Sequence, residues 1–174
     1  MISMPENQKD FVCSTDYADV FSISYGDREA LIFSFHPHIA RCTEFQQGLQ
    51  RSMYIHRNFK HENKMEVYAW NHEFIITEKA RLWDMEKLGH YERISHRKQL
   101  FSLCTAAHVR GVHHGSIHPE FIFVREDKSL AVMGWGFSQK SLPMIHLYRP
   151  PERYFKDGNR GCDEYAMALL SYEF

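Results

Sequence analysis

His113-His114-Gly115-Ser116-Ile117-His118-Pro119-Glu120-Phe121-Ile122-Phe123-Val124 is the stretch on which the fold turns. A helix-like segment precedes it. A turn from Arg125 to Ser129 follows, then a strand-like Leu130-Ala131-Val132-Met133. Gly134-Trp135-Gly136-Phe137 comes next, and further on Leu147-Tyr148-Arg149-Pro150-Pro151-Glu152.

The rest of the chain falls into order around this stretch. Residues 1–10 are polar and expected to be disordered. Phe11-Val12, Val20–Tyr25 and Ala30–Phe35 read as three strands, the last two joined by a tight turn at Gly26-Asp27. Thr43-Glu44 opens a helix to about Phe59, with Phe45, Leu49, Met53 and His56 along one face. Met65–Trp70 and Glu73–Glu78 form a hairpin around Asn71-His72. Beyond Lys79 the balance shifts to helix: a short one from Leu82 to Leu88 and a longer one from Ile94 to Val109. Asp163–Phe174 reads as a final helix.

Composition excludes several classes. The 174 residues are 44 % hydrophobic and 25 % charged, the ordinary balance of a globular domain. A formal net charge of −1 argues against a nucleic-acid footprint or a polybasic membrane patch. No apolar run approaches the roughly 18 residues of a spanning helix, and the N-terminus lacks a secretory apolar region. Cys13, Cys42, Cys104 and Cys162 are scattered without CxxC spacing, which points to reduced thiols and a cytoplasmic setting.

Taken together, His114, Pro119 and Glu120, the following hairpin, Gly134-Trp135-Gly136, Tyr148-Arg149-Pro150-Pro151-Glu152 and Asp163-x-Tyr165-Ala166 resemble the catalytic half of a protein kinase. Three strands, a helix and two strands is the order of a kinase N-lobe. The resemblance implies an α+β, bilobal kinase-like fold. Its N-lobe (residues 11–78) would hold a five-stranded antiparallel sheet and one helix, and its mainly helical C-lobe (79–174) would be shortened.

The same resemblance locates the chemical positions, and their residue types have changed. Phosphoryl transfer needs a phosphate cradle, a lysine, metal ligands and a base. Cys13–Val20 matches the glycine-rich loop without a glycine. Ser34 falls at the strand lysine, or Phe33 if the register shifts by one, and Ser52 falls at the helix glutamate. Ser116 replaces the base aspartate, His118 the loop lysine, Phe121 the metal-binding asparagine and Gly134 the metal-binding aspartate. Serine cannot take a proton at neutral pH as a carboxylate can, and hard cations want oxygen ligands. The catalytic set and the cofactor set are therefore both expected to be empty.

Framework positions remain. Val67, His56, Trp135 and His114 match an apolar column through both lobes, Thr77 the gatekeeper and Glu78–Ala80 the hinge. Asp163 matches the residue that caps the amides of the catalytic loop, and Glu152 one that pairs with an arginine in a later helix. The chain ends before that helix, so the apolar face of Tyr165, Met167, Leu169, Leu170 and Phe174 is expected to lack cover. On this expectation, either the chain is a minimal kinase fold or that face binds a partner or a second copy.

The implied function is that of a pseudokinase acting through protein contacts as scaffold, decoy or regulator. Its expected partner is a true kinase or a kinase-binding protein, with no nucleic acid and no membrane. Tyr148, Arg149, Leu169 and Phe174 are the candidate contact residues. Compact proteins of this kind resemble some pathogen effectors and viral kinase mimics. The competing class is an unorthodox nucleotide-using enzyme. Metal sets drawn from the twelve histidines, His36 with His38 or His113 with His114 and His118, lack a nearby cysteine or carboxylate, so no metal is expected. Cys104 and Cys162 read as buried thiols rather than nucleophiles.

Overall fold

Strand pairing, more than any single strand's propensity, builds the first layer. The computed structural model describes residues 10–137, 148 and 160–173. Strands β1 (Asp10–Ser14), β2 (Ala18–Tyr25), β3 (Arg28–Phe35), β4 (Val67–Trp70) and β5 (Phe74–Glu78) form an antiparallel sheet in the order β1-β2-β3-β5-β4. Asn71 makes the β4–β5 turn by accepting from the N–H groups of Glu73 and Phe74 through its side chain, at 2.8 and 2.9 Å.

β3 is buried on both faces. Leu31, Phe33 and Phe35 join the core beneath the sheet, while Ala30 and Ile32 join a smaller cluster with Ile23, Phe74 and Ile76 on the other side. Alternation therefore corrects one reading of the sequence. Ser34 has the parity of Ile32 and lies on the far face, so the residue that faces inward at the lysine-like position is Phe33.

The short helix α1 (Pro37–Ala40) leads into α2 (Thr43–Asn58). α2 buries Phe45, Gly48, Leu49, Ser52, Met53 and His56, one face at helical spacing, against the sheet. A second sheet follows, β6-β7-β8, from Arg81–Leu82, Ile122–Val124 and Leu130–Val132. The expected helix from Leu82 to Leu88 is absent. Leu82 pairs with Phe123 as strand, and only Met85–Lys87 forms a single 3-10 turn. A run of two pairing residues and one turn gives no helical period to bury.

α3 (His90–Val109) starts a turn earlier than its apolar stripe predicts, because the Glu92 carboxylate accepts from the Gly89 N–H at 3.1 Å and satisfies the helix start. α4 (Arg160–Glu173) packs against it. Among the described residues this is a mixed α+β architecture with a five-stranded antiparallel sheet and four helices. No described helix is long and apolar enough to cross a membrane.

The two halves share a core. β7 is buried on both faces: Phe123 enters the core under the first sheet, while Ile122 and Val124 enter the core formed with α3 and α4. The α2–β4 connection also pairs with β8, through Met65 N–H to Val132 O at 3.0 Å and Val132 N–H to Asn63 O at 2.9 Å.

Candidate functional site

The site lies where β7, β8 and the loop from Val112 to Phe121 meet the first sheet and α2. Asp163, on α4 and 1 % exposed, fixes the loop backbone. Its carboxylate accepts from the N–H groups of His114 (2.9 Å) and Gly115 (2.7 Å) and from His108 Nε2 (2.8 Å). His114 is fully buried. Its Nδ1 accepts from Ser116 N–H at 3.2 Å, so its Nε2 carries the proton and donates to Met133 O at 2.8 Å.

Ser116 is also committed: its hydroxyl donates to Phe137 O at 2.7 Å. His118 turns its Nδ1 to accept from Glu120 N–H at 3.2 Å and meets the Tyr148 ring edge-on at 5.0 Å. The Ser116 hydroxyl is spent on a carbonyl and the His118 Nδ1 on a loop amide.

The remaining space is filled by rings. Phe121 is 1 % exposed and packs against Tyr17 (5.3 Å between centroids), Phe137 (6.3 Å) and His114 (6.3 Å). Phe33 meets Phe123 edge-on at 5.6 Å. Gly134 adopts φ +84°, and a methyl at that position would lie 2.6 Å from Cγ and 2.8 Å from both Cδ atoms of Phe121. The two positions matched to metal ligands are therefore in contact, and the Phe121 ring occupies the volume any side chain at 134 would use. Ser52, matched to the helix glutamate, is 1 % exposed on the inner face of α2.

The turn between β1 and β2 closes the mouth. Thr15 holds the turn by donating to Ala18 O at 3.0 Å, and the Tyr17 hydroxyl reaches Glu120 O at 3.4 Å. Burial, with Asp16 second, raises the Glu120 carboxyl above its ordinary range. The space left among Tyr17, Phe35, Phe45, Ile75, Phe121, Met133 and Phe137 is about 10 Å³. Ligand pockets hold roughly 300–1,000 Å³, and even one water needs about 10–15 Å³. Outside this plug a shallow groove of about 490 Å³ runs past Val12, Leu31, Ala80, Arg81 and Val124.

Behind the cleft lie His56, His114 and Trp135, the last two in tilted ring contact. Trp135 is fully buried, 4.7 Å from the His114 ring, and its indole donates to Val132 O at 3.1 Å. His56 is 8 % exposed. Burial first, then Lys64, His114 and Lys60, lower its pKa to about 3, so the ring is neutral. The Lys64 ammonium donates to His56 O at 2.7 Å and is itself pushed down to about 8 by burial and Lys60. Val67 is half-buried at the edge of the first core.

The hinge-like segment carries an ion pair that its sequence did not signal. Thr77 is fully buried, and the Glu78 carboxylate accepts from Arg125 Nε and Nη2, both at 2.7 Å. The same guanidinium donates to Leu130 O at 2.6 Å and Ser129 Oγ at 3.2 Å. The signal available was an arginine at the start of the Arg125–Ser129 turn, which reads first as a solvated charge.

Other expected positions divide. Arg149, Glu152 and Phe174 lie outside the described residues. Leu169 is half-buried, but Leu170 is fully buried against the α3 core. The face expected to lack cover is therefore partly covered within the chain. His36 stacks on His38 at 5.8 Å and spends its Nε2 on Thr15 O, so these two do not converge on an ion. Cys104 is buried, and burial with Asp163 second pushes its thiol well up, away from the nucleophilic thiolate. No protein-family model matches the chain, and no curated protein is similar to it.

Proposed function

We propose that this chain is a non-catalytic, kinase-like protein, a pseudokinase, that works through protein contacts as a scaffold, decoy or regulator. One observation carries the reading: at the inner end of the cleft, where phosphates and their metal would sit, Tyr17 and Phe121 line a space of only about 10 Å³ and Phe33 packs on Phe123. The groove of about 490 Å³ beside Leu31 and Ala80 therefore has no phosphate or metal site to continue into. Mg²⁺ wants oxygen ligands. Phe121 and Gly134 supply no side-chain oxygen at the two positions matched to its ligands.

The buried His114–Trp135 contact, the capped loop and the Glu78–Arg125 pair support a rigid body that presents surface rather than one that opens for substrate. Tyr54, Tyr91 and Phe101 are exposed aromatics of the kind that anchor protein contacts. The partner would be a true kinase or a protein that meets one, and four free cysteines suit a reducing, cytoplasmic setting.

Thermal unfolding with ATP, alone and with Mg²⁺ or Mn²⁺, tests the reading. A ligand that binds only the folded state stabilises it by about 2.7 kcal/mol at 100 times its Kd. The expected result is an unchanged melting temperature at millimolar nucleotide. A metal-dependent rise would overturn the proposal in favour of an unorthodox nucleotide-using enzyme.

A further inference from the structure

At the junction of α3, the loop that follows it and α4, three side chains meet that are far apart in sequence. His108 ends α3, His113 opens the loop, and Asp163 comes from the first turn of α4. One ligand atom of each lies within 4.8 Å of the other two. His108 Nε2 stands 2.8 Å from Asp163 Oδ2, and the two imidazole centroids are 5.3 Å apart.

A second observation concerns His113 alone. Its Nδ1 is buried and has no hydrogen-bond partner among the described residues. Leaving such an atom unsatisfied is costly, so a buried ring nitrogen of this kind calls for an explanation. His113 belongs to the same cluster as a second imidazole and a carboxylate.

We propose that His108, His113 and Asp163 bind one divalent transition-metal ion of the zinc class. Two imidazoles and one carboxylate are the donors of three-ligand zinc sites, which keep a fourth position open; Mg²⁺ and Ca²⁺ demand more oxygen than the cluster offers. The carboxylate is already oriented by the amides of His114 and Gly115, which serve as outer-shell support. Ligand atoms around a tetrahedral zinc stand about 3.3 Å apart, given bonds of about 2.0–2.1 Å. The His108–Asp163 pair opens by about 0.5 Å, and His113 closes in. On binding, the proton on His108 Nε2 moves to Nδ1, and Nε2 and Oδ2 turn their lone pairs to the ion. The fourth position takes water or a donor from outside, next to a groove of about 520 Å³ that His113 lines with Arg51, Tyr54 and Gly136. Such an ion would clip α3 and α4 to the loop, and the site stands independently of the kinase-like reading.

The test is titration of chelator-stripped full chain with zinc by calorimetry, and with cobalt by visible absorption. One equivalent of zinc, a raised melting temperature and the intense spectrum of four-coordinate cobalt are expected. His113→Gln should fold as the stripped wild type does and lose at least tenfold in zinc affinity, whereas His36→Gln should bind normally. No zinc uptake by wild type, or undiminished one-to-one uptake by His113→Gln, would overturn the site. If His113→Gln does not fold, the cobalt spectrum of wild type decides: four-coordinate bands uphold the proposal, and their absence ends it.

Discussion

Alanine at Gly134, introduced alone and together with Phe121→Ala, measures whether the two metal-ligand-like positions have changed as a unit. At φ +84° a residue with a Cβ pays about 1–2 kcal/mol of backbone strain. The methyl would also sit 2.6 Å from Phe121 Cγ, against an optimal carbon–carbon separation of about 3.5–4.0 Å, and overpacking of this kind costs about 1–3 kcal/mol. Gly134→Ala should therefore lose about 2–5 kcal/mol. Phe121→Ala should lose about 3–5 kcal/mol as a large-to-small change at a fully buried ring. In the double variant the methyl enters space the ring has left, so only the backbone strain remains. The double variant should be about 1–3 kcal/mol more stable than the sum of the single changes predicts. Urea unfolding followed by fluorescence of the buried Trp83 and Trp135 reads each value from its midpoint and slope. Additivity within about 0.5 kcal/mol would refute the steric coupling and make Gly134 an independent loss.

Two further outcomes follow from buried charge. His56 titrates at about 3 in the fold against an ordinary histidine value of 6.5, so stability is intact above pH 6.5 and falls as pH drops towards 3, because the unfolded chain takes a proton the native ring refuses. The loss is about 1.4 kcal/mol per pH unit, or about 2 kcal/mol at pH 5, and His56→Phe should remove that part of the slope in urea midpoints; an unchanged slope from pH 6.5 to 5 would sink the account. Arg125→Ala leaves the Glu78 carboxylate, only 15 % exposed, without its cation and with the Glu66 N–H as a remaining donor, and should cost about 2–4 kcal/mol, somewhat less than a fully buried pair. Removing both partners, as Arg125→Met with Glu78→Leu, should cost less than Arg125→Ala alone in the same denaturation assay.

The elements were legible where the sequence carries a period, and obscure where it does not. α2 announced itself through Phe45, Leu49, Met53 and His56, and the β4–β5 hairpin through Asn71. β3 could be placed but not phased: a strand buried on both faces reads as a continuous apolar run, and only its pairing with β2 and β5 turns Phe33 inward and Ser34 outward. Leu82 and Leu88 gave an apolar spacing that strand and helix share, and pairing with β7 settled it. His108 and Asp163 are 55 residues apart and meet only because α3 packs on α4, so no spacing rule could join them to His113.

That limit bears on the functional reading itself. On the kinase-like reading, a sequence offers six changed chemical positions as though each testified separately. In the fold they do not. Once the Phe121 ring is in place, no side chain fits at 134, so those two changes are one steric event. Phe33 and Ser52 likewise remove the two halves of what would be one ion pair, and losing both together avoids stranding a buried charge. Counting substitutions therefore overstates the case, and volume states it better. Rings from the β1–β2 turn, β3, the loop and β7 fill the inner end of the cleft, so no single substitution would open it, and a carboxylate at 134 would first have to displace Phe121.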